Sequence, residues 1–210
     1  MPRDHILHKV RTAIGRSAGQ APLQPPPVLL RLPEWGLDDR IAMFSNALEL
    51  LGGKTYVASS LDDAKAYAAN LASGKRVVAS NAGLLRECGI TDLDGVETEI
   101  TDCAELRNAC AAAGLGITSA DYALGDTGSL VMLASPGEAR LVSLLPPVHL
   151  ADVRRTSVLT GLDELFTVLP DPSLQTSSMV LITGPSRTAD IEQILVRGVH
   201  GPGEIHVVLV

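Results

Sequence analysis

Residues 55–79, TYVASSLDDAKAYAANLASGKRVVA, decide the fold class. A short run rich in strand-forming residues at 55–58 precedes a helical pattern at 61–72, and a second apolar run follows at 76–79. Two aspartates in the first turn of the helical pattern suit the helix dipole, and Gly74 ends it. A strand, a helix and a strand in this order predict a β-α-β unit with parallel strands and a right-handed crossover.

The same alternation extends outward from this unit on both sides. A helix over 38–51, closed by the Gly52-Gly53 pair, precedes it, and a helix over 102–113 follows. In the middle of the chain, the sequence predicts strands within 115–135 and 141–147, joined by turns at 125–128 and 135–138. The elements predicted after them are a strand at 149–153, a helix at 157–169, a buried strand at 178–183, a short helix at 189–196 and a final strand at 205–210. The fold class is therefore α/β, a mostly parallel sheet with flanking helices and an antiparallel β insertion in the middle.

The first 36 residues have a different character. Ile6, Val10 and Ile14 lie four apart and predict an amphipathic helix, whereas five prolines between residues 18 and 33 prevent its continuation. We therefore expect an N-terminal helix with a proline-rich arm at 1–36 and an α/β domain at 37–210. The helix is interpreted as a loosely attached terminus or, alternatively, as a contact to a partner or to a second copy of the chain.

Charge and composition exclude several classes of protein. The chain has 17 basic and 24 acidic residues, a net charge of −7, and no basic stripe of the kind that nucleic-acid binding requires. No apolar run approaches the ~20 residues of a membrane span, so a cytoplasmic location is the default expectation. The three cysteines show no CxxC spacing, and neither an iron-sulfur nor a zinc ligand set is predicted.

The segment 184–202, GPSRTADIEQILVRGVHGP, is the first candidate site. It follows a predicted strand and opens a predicted helix, and helix N-termini at the carboxyl edge of a parallel sheet bind anions. Arg187 could offer a planar guanidinium to a carboxylate or phosphate. The other predicted ligand-binding residues of this segment are Gly184, Ser186, Thr188 and Asp190. The alternative is an ordinary capped helix with a solvent-exposed arginine.

The turn Asp126-Thr127-Gly128 is the second candidate. Its functional interpretation is a carboxylate, Asp126, held at a sheet edge as a base, with Thr127 and Gly128 contacting the ligand. The alternative is a simple hairpin turn. An aspartic-protease turn is rejected because the α/β alternation does not fit that fold.

His149 and His200 are the remaining catalytic candidates, each beside a proline turn. Either could act as a general base, although a structural histidine is the more common case. No dinucleotide-binding, P-loop, nucleophile-elbow or zinc-protease motif is present, and no metal site is predicted.

Three motifs together resemble the LUD domain family, of the lactate-utilisation protein C type: SADYALGDTGSLVM (119–132), LLPPVHLADV (144–153) and ITGPSRTADIE with GVHGPGEIHVVLV (182–192 and 198–210). The resemblance implies a fold similar to the NagB, ribose-5-phosphate isomerase and CoA-transferase group. It also implies a role in oxidising L-lactate to pyruvate beside iron-sulfur proteins. Any clusters would then lie on those partners, and this chain's own cofactor is unknown.

The resemblance supplies no established catalytic residues. If lactate binds, Arg187 would pair with its carboxylate and a histidine would take the hydroxyl proton. The competing hypothesis is a self-sufficient enzyme on a small phosphorylated or CoA-linked substrate, of isomerase or acyl-transfer type. A CoA-transferase would use a glutamate nucleophile, and none lies beside the DTG or GPSRT motif.

Overall fold

A computed structural model describes residues 3–17, 19–21, 35–188 and 196–210. The chain divides into two compact units, Met1–Leu30 and Arg31–Val210. The first contains the helix α1 (Arg3–Ala13), none of whose residues is buried. Most of the proline-rich arm at 18–33 lies outside the described residues, and the domain boundary at residue 37 stays a prediction.

The second unit alternates helices and strands. Its helices are α2 (Leu37–Leu50), α3 (Leu61–Ala72), α4 (Gly83–Glu87), α5 (Cys103–Ala112), α6 (Arg140–Leu144) and α7 (Leu162–Val168). Its strands are β1 (Lys54–Val57), β2 (Val77–Ala79), β3 (Val96–Glu97), β4 (Leu115–Ser119), β5 (Tyr122–Leu124), β6 (Ser129–Leu133), β7 (Val148–Val153), β8 (Val158–Leu159), β9 (Met179–Ile182), β10 (Arg187–Thr188), β11 (Val196–Arg197) and β12 (Glu204–Leu209). Short 3-10 turns occupy Arg155–Ser157 and Pro172–Leu174.

The strands form two main sheets. Six parallel strands in the order β1-β12-β7-β4-β2-β3 make the first, which confirms the predicted α/β class. The second sheet has the order β8-β5-β6-β9, and its β5–β6 pair is the predicted antiparallel insertion, turning at residues 125–128. The strands β10 and β11 form a separate antiparallel pair.

Different layers cover the two faces of the parallel sheet. Residues of α3 and α4 pack against one face in a cluster that includes Ala64, Leu85 and Leu150. On the other face, α2 and the second sheet share a cluster that includes Phe44 and Val207, while α5 and α6 share another. Burial of these apolar side chains is the main force that holds the layers together.

Local sequence signals explain where the helices begin and end. The Ser60 hydroxyl accepts a hydrogen bond of 3.1 Å from the Asp63 amide and caps α3. Gly52, at φ +84°, follows the end of α2, and its amide donates to the Glu49 carbonyl at 2.8 Å. The predicted left-handed glycine cap is therefore confirmed.

Three predicted elements differ from the structure. Residues 141–147 were expected to form a strand, but α6 lies here and packs on Gly116, where an added Cβ atom would lie 3.1 Å from the Val142 carbonyl carbon. The predicted helix at 157–169 is divided into β8 and α7, and β9 is partly exposed rather than buried. The predicted helix at 189–196 lies outside the described residues, apart from Val196, which belongs to β11. Among the helices described, none has the length and apolar character to cross a membrane.

Candidate functional site

The parallel sheet has its topological switch point between β2 and β4. The chain continues from β2 to the edge strand β3 and then returns to place β4 on the other side of β2. The two connections leave by opposite faces, because α4 packs with the first core cluster and α5 with the third. In an open α/β sheet this arrangement opens a crevice at the carboxyl ends of the two strands, where ligands bind.

Ser80 and Asn81, which follow β2, connect the loops around this crevice. The Asn81 side-chain oxygen accepts hydrogen bonds of 2.8 Å from the Thr98 hydroxyl and of 2.8 Å from the Glu99 amide. The Asn81 amide donates to the Gly137 carbonyl at 2.8 Å. One residue thus holds the loop after β3 and the turn before α6 against the end of β2.

Glu138 lies in the centre of the crevice with 7% of its surface exposed. Its Oε2 atom accepts from the Ser80 hydroxyl at 2.8 Å and from the Ser119 amide at 3.2 Å, whereas Oε1 is buried without a partner among the described residues. Burial raises the pKa of Glu138 to about 7, an effect that the two hydrogen bonds oppose and the Asp121 charge adds to. The carboxyl group can therefore gain or lose a proton near neutral pH, as a general acid or base must.

A pocket of about 200 Å³ opens in front of Glu138. Asp121 stands at this pocket with its Oδ2 atom accepting from the Leu133 amide at 2.7 Å, and burial raises its pKa. The lining residues are Ala82, Gly83, Ser119, Asp121, Leu133, Ser135 and Glu138. The pocket is thus polar and acidic.

A further buried carboxyl, Asp152, lies at the end of the adjacent strand β7. It is fully buried and pairs in register with Ser119 of β4. Neither of its oxygens has a hydrogen-bond partner of ordinary geometry within the described chain, although the nearby Cys88 thiol acts to lower its pKa. Burial dominates and raises the pKa of Asp152 to about 7, and burial also raises that of Cys88 to about 11. The thiol is therefore neutral at physiological pH.

Several of the residues predicted from sequence meet elsewhere, around the C-terminal end of α2. Arg187 donates a hydrogen bond to the Leu51 carbonyl, and it pairs with Arg197 across β10 and β11. A Cβ atom placed on Gly52 would lie 3.3 Å from the guanidinium groups of both arginines. A Cβ on Gly184 would lie 2.9 Å from Leu51 Cβ, so this motif packs directly on the end of α2.

Hydrogen bonds connect the Asp126-Thr127-Gly128 turn to the same region. The Ser129 hydroxyl donates to the Thr127 hydroxyl at 2.8 Å and lies 2.7 Å from the Thr183 hydroxyl, next to Gly184. Gly128, at φ +65°, packs against the backbone of α2. Asp126 is exposed and lies against Gly161, at the start of α7. The turn and the beginning of the GPSRT motif therefore do come together.

His149 does not join them. His149 is fully buried in β7, its Nε2 atom lies 2.7 Å from the Thr118 hydroxyl, and burial lowers its pKa to about 4. It is a neutral core residue in contact with the sheet rather than with solvent. His200 is exposed in the segment before β12.

The other predicted residues are placed as follows. The Ser186 amide donates to the Pro202 carbonyl at 2.8 Å and its carbonyl accepts from the Gly198 amide at 3.0 Å, so it closes the loop that carries β10 and β11. Thr188 is half-buried in β10, and Asp190 lies outside the described residues.

The expected position of the GPSRT motif at the carboxyl edge of the parallel sheet is wrong. The motif follows β9, which belongs to the second sheet, and the loop it forms reaches the amino ends of β7 and β12, where Gly203 donates to Pro147 at 3.0 Å. Arg187 therefore lies beside a helix C-terminus, whose carbonyls attract cations. A strand pattern alone does not tell which of two sheets a strand joins.

Sequence reasoning overlooked Glu138, Asp152 and Arg197. The turn at 135–138 was predicted and is confirmed by the 3.1 Å hydrogen bond from the Glu138 amide to the Ser135 carbonyl, but no function was assigned to its glutamate. The sequence signal that could have identified it is a glutamate at the end of a glycine-containing turn between two apolar runs. Its burial depends on Ser80, 58 positions away in the chain.

The fold and these sites place the chain among known proteins. Residues 41–210 match the family profile described as LUD domain, and the chain belongs to this family. The recognition made from the three motifs is confirmed.

Two similar proteins are named Lactate utilization protein C. Lactate utilization protein C of Halalkalibacterium halodurans is 34% identical over 138 residues, which cover 62% of this chain and 60% of that protein. The protein of the same name from Macrococcus caseolyticus is 35% identical over 133 residues, 60% of this chain and 57% of that protein. The matched region thus spans about 60% of the length of these relatives.

A solved structure supports the fold. The crystal structure of a DUF162 family protein from Deinococcus radiodurans aligns with a TM-score of 0.66 at 16% identity, covering 83% of this chain and 98% of that one. This similarity concerns the fold alone, and the grouping with NagB, ribose-5-phosphate isomerase and CoA transferases stays a prediction.

Proposed function

We propose that this chain serves lactate utilisation as the non-iron-sulfur component of a system that oxidises L-lactate to pyruvate. The observation that carries the proposal is its membership of the LUD domain family together with relatives, 34–35% identical, that are named Lactate utilization protein C. A cytoplasmic location belongs to the same proposal.

Iron-sulfur proteins are the proposed partners in this role. Oxidation of lactate to pyruvate releases two electrons, which need an acceptor, and a four-iron cluster is held by four cysteine thiolates. The chain has three cysteines, of which Cys88 and Cys110 are buried. Electron transfer is therefore assigned to the partners and ligand binding to this chain.

The arginine pair at the end of α2 is the proposed site for the lactate carboxylate. Arg187 and Arg197 hold two like charges next to each other, and neither has an acidic partner among the described residues. Gly52 leaves the space between the guanidinium groups open, since a side chain there would contact both. A carboxylate bound in this space would receive charge-assisted hydrogen bonds and offset the repulsion between the arginines.

A genetic experiment tests the proposed role. Deletion of the gene should abolish growth on L-lactate as sole carbon source while growth on pyruvate continues, and the wild-type gene should restore growth. The double variant Arg187→Ala/Arg197→Ala should fail to restore it if the arginine site is used. Unchanged growth of the deletion strain on L-lactate would overturn the role. Turnover of an isomerase or acyl-transfer substrate by the pure chain would favour the self-sufficient enzyme instead.

A further inference from the structure

The pocket at the carboxyl ends of β2 and β4 is separate from the arginine site, which lies near the amino ends of the strands. It contains two carboxyl groups, those of Asp121 and Glu138, and none of the described residues that line it is basic. An anion such as lactate would be repelled here, because like charges at close range in a partly buried site destabilise binding. The two sites thus select ligands of opposite charge.

The hydrogen-bonding groups of the pocket also favour a donor as ligand. The Oε1 atom of Glu138 is buried and has no partner within the described chain, and the residue as a whole is only 7% exposed. A buried polar atom without a partner costs free energy that a ligand can recover by donating a hydrogen bond. Ser119 and Ser135 line the same pocket, and a serine hydroxyl can accept a second hydrogen bond.

The volume of the pocket and the side chains around it limit the class of ligand further. A volume of about 200 Å³ is below the range of drug-sized ligand pockets, which begins at roughly 300 Å³. No group of three or more histidine, cysteine or acidic side chains that could hold a metal ion occurs in the described part of the chain. A compact organic cation satisfies both the charge and the hydrogen bonds.

We propose that this pocket binds a small primary amine as its ammonium ion, with Glu138 and Asp121 pairing with the ammonium group and the serine hydroxyls receiving a neighbouring polar group. The chain would then carry a second ligand site, independent of lactate binding.

The groups that face Glu138 define how binding depends on pH. Asp121 faces it from the β4–β5 connection, while Ser80 and the Ser119 amide face it from the ends of β2 and β4. The ammonium ion binds the ionised carboxylate. Since the pKa of Glu138 is about 7, the ionised fraction and the affinity should rise roughly tenfold between pH 6 and pH 8.

Calorimetric titration of the purified full chain with three matched compounds tests the proposal. Ethanolamine, ethylene glycol and glycolate are similar in size and differ in charge. Ethanolamine should bind at pH 8, and the neutral and anionic compounds should bind at least tenfold more weakly. Absence of ethanolamine binding, or equal or tighter binding of glycolate, would overturn the proposal.

Variants locate the site. Glu138→Gln keeps the shape of the side chain and should weaken ethanolamine binding at least tenfold and remove its pH dependence. Asp121→Asn, which retains an acceptor for the Leu133 amide, should weaken binding as well and provides a second test if the first variant folds poorly. The matched control is Glu105→Gln on the exposed surface of α5, which should bind as the wild type does. Wild-type affinity in both pocket variants would overturn the assignment, whatever the outcome for lactate.

Discussion

Substitution of Glu138 by glutamine should change how the stability of the protein depends on pH. The pKa of Glu138 is raised from 4.5 to about 7 by burial. The folded protein therefore keeps a proton that the unfolded chain releases, and the free energy of unfolding falls as pH rises through this window. At about 1.4 kcal/mol per pKa unit, the ionisable glutamate costs the folded state about 3 kcal/mol at pH 8 compared with pH 4.

Glutamine is neutral at every pH and has the shape of the protonated glutamic acid. Its side-chain oxygen can accept the hydrogen bonds of Ser80 and Ser119 that Oε2 accepts in the wild type. Chemical denaturation of both proteins from pH 4 to pH 8 should show the variant gaining about 3 kcal/mol relative to the wild type over this range. Titrating groups that do not interact with Glu138 cancel in the difference. A difference that stays constant with pH would refute the reasoning.

Two further predictions concern stability. Gly128→Ala should lower the free energy of unfolding by about 3 kcal/mol or more, because φ is +65° and the new Cβ would lie 2.8 Å from the Ala47 carbonyl carbon. The control is Gly74→Ala, where φ is +71° but the surrounding space is open. This variant should lower the free energy of unfolding by only about 1 kcal/mol in the same denaturation assay. Burial lowers the pKa of His149 from 6.5 to about 4, so its contribution to stability is lost as pH falls from 6.5 through 4. Its imidazole resonances in an NMR titration should stay constant above pH 5, and a midpoint near 6.5 would contradict its place in the core.

Much of the fold could be predicted because its signals are local. The unit at 55–79 carries its strand patterns, its helix cap and its terminating glycine within 25 residues, and the structure has β1, α3 and β2 there. The glycine pair at 52–53 and the turn at 125–128 are equally local. In each case the backbone conformation depends on neighbouring residues.

The errors concern features that depend on distant residues. The apolar run after Arg140 is compatible with a strand or with a buried helix. Its packing on Gly116 favours the helix, α6. The strand before Thr183 was assigned to the wrong sheet because its pattern contains no information about which strand pairs with it. The position of the GPSRT motif was wrong for the same reason.

In the candidate sites as well, residues with a local signal were recognised, and residues whose role depends on distant contacts were overlooked. The DTG turn and Arg187 were recognised from their residue types, and the structure brings them to the same end of α2. Glu138 was overlooked because its importance comes from burial against two other strands, and Arg197 because a single arginine gains meaning only beside a second one. Their roles in binding stay predictions.

Calorimetric titration of the purified chain with L-lactate tests whether the arginine pair binds the lactate carboxylate. L-lactate should bind the wild type, and Arg197→Ala should weaken binding at least about tenfold, as the loss of a charge-assisted hydrogen bond requires. The variant Arg154→Ala, which removes an exposed arginine paired with Glu87, should bind as the wild type does. Equal affinity of the wild type and Arg197→Ala for L-lactate would show that the arginine pair does not bind lactate.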